Sequence, residues 1–147
     1  MQSLTITRPD DWHLHLRDGA EMAAVLPDTA KRFARAIIMP NLKPPVTTVE
    51  LARQYRDRIL AALPRSVDFT PLMTLYLTDN TPRKEIERAK ASGFVHAVKF
   101  YPAGATTNSQ SGVTDIGKVA DVIAAMEACG LPLLVHGEVT DAVIDVF

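Results

Sequence analysis

A chain of 147 residues that is 47% apolar and 22% charged has the size and balance of one globular domain. That excludes a disordered chain and a collagen-like fibre, and no apolar run approaches the roughly 18 residues needed to span a bilayer. The formal charge of -1, from 16 basic and 17 acidic residues, points to neither nucleic acid nor an anionic membrane as partner.

The opening MQSLTITRPDD lacks a basic n-region and an apolar core, so a secretory signal is not expected. Cys129 is the single cysteine, which excludes an internal disulfide and a cysteine-only zinc cluster and suits a reducing cytoplasm. Apolar runs and helix-period segments then alternate. Asp11–Leu16 is predicted as a first strand. The span 20–33 follows as a helix with Met22, Val25, Leu26 and Phe33 on one face, bent or shortened at Pro27. Asp18 is placed to cap it. RAIIMP over 35–40 is a buried strand stopped by proline. Thr47-x-x-Glu50 reads as a capping box for a helix bearing Ala52, Tyr55, Ile59 and Leu63.

A third strand is expected over 69–77. Thr81 and Pro82 read as the N-cap and first residue of a helix that Gly93 stops. VHAVKFY over 95–101 is the fourth strand. Thr114 or Asp115 opens a helix carrying Val119, Val122, Ile123 and Met126, closed by Gly130 with Pro132 beyond. LLVH over 133–136 is the fifth strand. Strands alternating with helices imply an α/β fold with a parallel sheet and right-handed crossovers. The long irregular stretch 102–112 has the length of a lid, with Gly104 permitting hinge conformations.

Chemistry gathers at the strand ends. His13 and His15 lie two apart, so both imidazoles leave one face of the first strand. An isolated HxH serves equally as two polar residues at a strand end. Asn41 follows the second strand, Lys99 lies near the end of the fourth, and His136 ends the fifth. In a parallel barrel these ends converge on one mouth. His96 begins the fourth strand and is assigned a structural role. Imidazoles suit zinc, but three are too few for two metals. Lys99 reads either as a solvated cation or phosphate binder, or as an amine that, when neutral, adds CO2 to become an anionic bridging carbamate. Arg17, two residues past His15, is either solvent-exposed or a bidentate fork for a substrate carboxylate. Asn41 is either a turn residue or the amide that completes that contact.

The stretches RPDDWHLHLRDG (8–19), MPNLKPPVTT (39–48), DFTPLMTLYLTD (68–79), VKFYPAGATTNSQSGVT (98–114) and PLLVHGEVT (132–140) closely resemble the dihydroorotases, in their compact bacterial class within the amidohydrolase superfamily. The resemblance runs along nearly the whole chain. It implies a (β/α)8 TIM barrel with two zinc ions, needing about 250 residues. This chain would supply the first five strands and four helices, as the N-terminal portion of one barrel domain. It further implies that His13 and His15 are ligands of the more buried metal, Lys99 is the carboxylated bridge, and His136 binds the second metal. Arg17 and Asn41 would bind the substrate carboxylate, and Thr106 and Thr107 would belong to a loop closing over the substrate. The family reaction is the reversible cyclisation of N-carbamoyl-L-aspartate to L-dihydroorotate in pyrimidine synthesis, by a hydroxide held between the metals. The family's shuttle aspartate and another histidine ligand are expected beyond Phe147. Asp141 and Asp145 fall in the following helix and are not substitutes. A small-molecule substrate and a homodimer of the full-length enzyme complete the expectation. Two other readings compete with it. One is a cyclic amidohydrolase of the hydantoinase or allantoinase type, and the other is a non-catalytic barrel fragment.

Overall fold

The computed structural model describes residues 3–138. Its elements run β1 (Asp11–Leu14), α1 (Gly19–Arg32), β2 (Arg35–Ile38), α2 (Val49–Ala62), β3 (Thr70–Tyr76), α3 (Arg83–Ala91), β4 (Val95–Phe100), a 3-10 turn (Ile116–Val119), α4 (Ala120–Cys129) and β5 (Leu133–Val135). The five strands form one parallel sheet in chain order, β1-β2-β3-β4-β5. The expected alternation is therefore present, curled into part of a barrel.

Period-two alternation sorts the strand residues between two faces. Ala36, Ile38, Met73, Leu75 and Val98 join the helices in the main core, with Met22, Leu26, Ala52, Tyr55, Ile59, Ile86 and Met126. Ile37, Met39 and Leu72 form a second, smaller cluster with Leu134 against it. The register shifts between Met73 and Thr74, and beyond the shift Tyr76 pairs with Lys99. That places the aromatic ring and the amine side by side at the C-terminal rim.

Several element ends differ from expectation for tertiary reasons. β1 stops at Leu14, so His15 lies just past it. α1 runs through Pro27 because Leu26 and Ala30 are fully buried on either side, anchoring both halves to the core. Its inward stripe is Met22, Leu26 and Ala30, while Val25 is exposed and Phe33 is the C-cap. The cap of α2 is Thr48, whose hydroxyl accepts from Leu51 N–H at 3.2 Å. Thr47 is therefore one residue early and the capping box does not form. Glu50 instead accepts from the Gln54 amide at 3.1 Å. Leu63 is the C-cap of α2 rather than part of its stripe. The N-cap of α3 is Pro82, which has no side chain to offer, and the Thr81 hydroxyl accepts from Thr78 N–H at 2.9 Å. Asp18 does cap α1, accepting from Gly19 N–H at 2.9 Å. Gly130 ends α4 in the left-handed conformation at φ 64°, as a C-terminal glycine should.

Asp79 ties the end of β3 to the approach to α4. It accepts from Thr114 N–H at 2.8 Å, from the Thr114 hydroxyl at 2.6 Å and from Lys118 Nζ at 2.9 Å. The Thr114 hydroxyl, followed by the other donors, holds its carboxyl down to about 2. The folded pKa is below the unfolded value of about 3.9, so this contribution is complete above about pH 4 and is lost as pH falls towards 2. Asp79→Asn is expected to flatten stability against pH in that window. Urea midpoints of a polypeptide completing the barrel, measured between pH 2 and 5, check it. Parallel curves for the two proteins would refute it.

Candidate active site

β1 delivers His13 and the chain just beyond it delivers His15, with ring centroids 5.0 Å apart. Their Nε2 atoms face each other at 3.1 Å. Asn41, buried after β2, fixes one of them. Its Nδ2 donates to the Thr107 carbonyl at 2.9 Å, which turns its Oδ1 towards His15 Nδ1, also at 2.9 Å. An amide oxygen only accepts, so His15 carries its proton on Nδ1 and presents an Nε2 lone pair. Partial burial lowers the pKa of His13, with Lys99 adding to the effect. Burial also lowers His15, with the Arg17 charge second. Both rings are biased to the neutral form that a metal requires.

Lys99, the inward residue of β4, is 2% exposed. Its amine lies 5.1 Å from the Tyr101 ring centroid, and burial lowers its pKa. No carboxylate of the described residues forms an ion pair with it. Tyr101, two residues on, stacks on Tyr76 at 5.1 Å. Its hydroxyl and Arg17 Nη1 are both buried with no hydrogen-bond partner among the described residues. Burial raises the pKa of both tyrosines, that of Tyr76 to about 12, so both phenols remain donors.

Arg17 and Thr107 line an open cavity of roughly 560 Å³ with Lys43 and Asn108. The 102–112 loop is docked on its far side. Asn108 Nδ2 donates to the Asn41 carbonyl at 2.9 Å, and the Tyr76 hydroxyl to the Asn108 carbonyl at 3.2 Å. The Thr106 backbone is tied within the loop, its N–H donating to the Ser109 hydroxyl at 2.8 Å. Gly112 is required at the base of the loop, because a Cβ there would collide with the Tyr101 carbonyl oxygen.

The expected residues therefore divide. His13, His15, Lys99, Arg17, Asn41 and Thr107 share the rim. Both ends of the Asn41 amide are engaged, with His15 and the loop rather than an open carboxylate position. His136 stands 6.0 Å from the Tyr101 ring, but its Nε2 is 2.7 Å from a Glu138 carboxylate oxygen. Among the described residues no three His, Cys, Asp or Glu side chains cluster as a metal site. Asp141 and Asp145 lie outside the described residues. His96 sits at the opposite end of β4 from the mouth. The sequence reading did not single out Tyr76 or Tyr101 for the site. Tyr101 alone carried a signal, through its period-two spacing from Lys99.

The donor set fits a zinc-like ion. Two nitrogens about 2.05 Å from one ion and 3.1 Å apart subtend roughly 100°, which four-coordinate zinc accepts. Lys99 contributes a buried amine beside them, the atom that a carbamate would extend.

A parallel βα sheet thus carries an HxH pair and a buried lysine at one rim. The chain belongs to the amidohydrolase family, whose sequence profile matches residues 7–146. Its relatives within that family are dihydroorotases. The one from Cupriavidus pinatubonensis is 75% identical over 99% of this chain. The chain spans 42% of that relative's length. Among solved structures, dihydroorotase from Campylobacter jejuni is 43% identical with a TM-score of 0.83, over 91% of this chain and 39% of that one. Dihydroorotase from Saccharomyces cerevisiae in complex with 5-fluoroorotic acid is 34% identical with a TM-score of 0.81, over 93% and 38%. No helix of the described residues is long and apolar enough to cross a membrane.

Proposed function

We propose that this chain is the N-terminal portion of a dihydroorotase, interconverting N-carbamoyl-L-aspartate and L-dihydroorotate. The observation that carries the reading is the Arg17 fork. Its Nη1 is buried with no partner among the described residues, and its charge acts on His15, so a substrate carboxylate held there would satisfy it. The 75% identity to a dihydroorotase supports the reading, as does the pyrimidine carboxylate held by the yeast relative.

His13, His15 and a carboxylated Lys99 would hold two zinc ions, with His136 joining once its ring leaves Glu138. Bound metal would acidify a water towards neutral pH and polarise the amide carbonyl. The chain's own residues then divide the remaining work. Asn41 holds the His15 tautomer. Arg17 orients the substrate through its carboxylate. The Asn41 amide N–H now on the Thr107 carbonyl is the donor that a substrate carboxylate would take over. Thr106 and Thr107 would close with their loop to exclude water. The proton shuttle would come from beyond Phe147. The single Cys129 suits a reducing, cytoplasmic setting.

The test is turnover of dihydroorotate, followed by absorbance, in a polypeptide whose barrel is completed beyond residue 147. A charge-assisted hydrogen bond is worth about 1.5–3 kcal/mol. Arg17→Met is therefore expected to lower kcat/KM by roughly 10- to 150-fold, with metal content unchanged. An unaltered kcat/KM would remove Arg17 from the substrate contacts, and absence of dihydroorotate turnover in the parent polypeptide would remove the substrate assignment.

A further inference from the structure

Arg17 has φ of +62°, in the left-handed region that residues with a Cβ rarely occupy. Such a conformation persists when the surroundings over-determine it, and ligand clamps are where it is found. The surroundings here come from α2, the helix outside the sheet. The Tyr55 hydroxyl donates to the Arg17 carbonyl oxygen at 2.6 Å. Tyr55 is 1% exposed and sits between Ala52 and Ile59 in the inward stripe of α2, so its ring has no room to shift. One turn on, the Arg58 guanidinium lies 5.4 Å from the Tyr55 ring and grips Asp18 with two hydrogen bonds, at 3.0 and 2.7 Å. The peptide unit that follows Arg17 is thus held from its carbonyl side by a buried phenol and from its next side chain by an ion pair. Asp18 in turn caps α1. Of these two restraints, only the phenol is buried, since Arg58 and Asp18 are each about two-fifths exposed.

We propose that Tyr55 is the positioning residue that aims the Arg17 guanidinium at the substrate carboxylate, through its hydrogen bond to the Arg17 carbonyl. This rests on the reading of Arg17 as the carboxylate clamp. Tyr55 never meets the substrate. It fixes the backbone from which the fork emerges, so its effect belongs to binding of the carboxylate rather than to the bond-breaking step. Weakening an interaction equally in the ground and transition states raises KM and leaves kcat unchanged.

The experiment is a double-mutant cycle of Tyr55→Phe and Arg17→Met in the completed barrel. Steady-state kinetics on dihydroorotate are measured together with metal content and Tm. Tyr55→Phe is expected to raise KM about tenfold, with kcat within twofold, and to add less than twofold in the Arg17→Met background. Arg58→Met, which breaks the grip on Asp18 but keeps the phenol, is expected to change KM by less than twofold. An unchanged KM in Tyr55→Phe, or an equal loss in both backgrounds, would overturn the proposal while leaving the clamp intact. So would an Arg58→Met effect matching that of Tyr55→Phe. Recovery of Tyr55→Phe only as aggregate would assign the phenol to folding instead, with the same result. If Arg17→Met itself leaves KM unchanged, the clamp reading fails first, and the role of Tyr55 fails with it.

Discussion

Lys99→Ala is expected to abolish most metal binding and turnover in the completed barrel. The loss should exceed the roughly 10- to 100-fold that follows from removing an outer-sphere partner of a metal ligand. At 2% exposure and without a carboxylate partner among the described residues, the Lys99 ammonium is desolvated, and its pKa is lowered accordingly. A neutral amine has the lone pair that attacks CO2. The N–C bond forms, one C–O π bond opens, and a proton leaves the nitrogen. The product would be a monoanion offering two oxygen donors near the His13 and His15 nitrogens. Alanine would remove the nucleophile and the anion together, leaving only the neutral imidazoles of His13, His15 and His136 to hold the proposed metal pair. Bicarbonate with a short carboxylic acid such as propionate is expected to restore part of the metal content by standing in for the bridge. Metal analysis and absorbance turnover check this. Full occupancy with normal turnover in Lys99→Ala would dispose of the carbamate.

What the sequence made legible follows a physical divide between local and distant interactions. The strand-helix alternation, the Asp18 cap and the stops at Gly93 and Gly130 depend on neighbours in the chain, and all are found. The period-two placement of His13 and His15 is local as well, and the rings do meet. The differences arise where a distant residue decides. Val49 N–H at the start of α2 donates to buried Glu85 of α3 at 2.6 Å, a capping interaction that no local motif encodes. Pro27 is carried inside α1 by the burial of Leu26 and Ala30. Asn41 reaches His15 from 26 residues away and the loop from 66. Tyr55 meets Arg17 across 38 residues. The types of residue at the rim could thus be read, whereas the bonds that orient them could not.

Residues 1–147 expressed alone are expected to be inactive and to self-associate. Within the described residues β1 pairs only with β2, and β5 only with β4. Each outer edge therefore presents unpaired N–H and C=O groups, the template on which another chain adds. A barrel of this class closes at eight strands, and five leave both edges of the sheet open. Trp12 is 60% exposed and Val135 58%. Burying apolar surface gains about 25 cal/mol per Å², so association of two open faces is favourable and has no geometric stop. The same opening removes function, because the shuttle aspartate and the further histidine ligand are expected from strands beyond Phe147. Light scattering should show species that grow with concentration, and absorbance should show no turnover of dihydroorotate. Co-expression with the C-terminal segment of a close relative should restore both solubility and activity if the halves dock edge to edge. A monodisperse monomer of residues 1–147 with turnover near that of a complete dihydroorotase would mean that the open sheet is a finished structure, and that the proton shuttle lies within this chain.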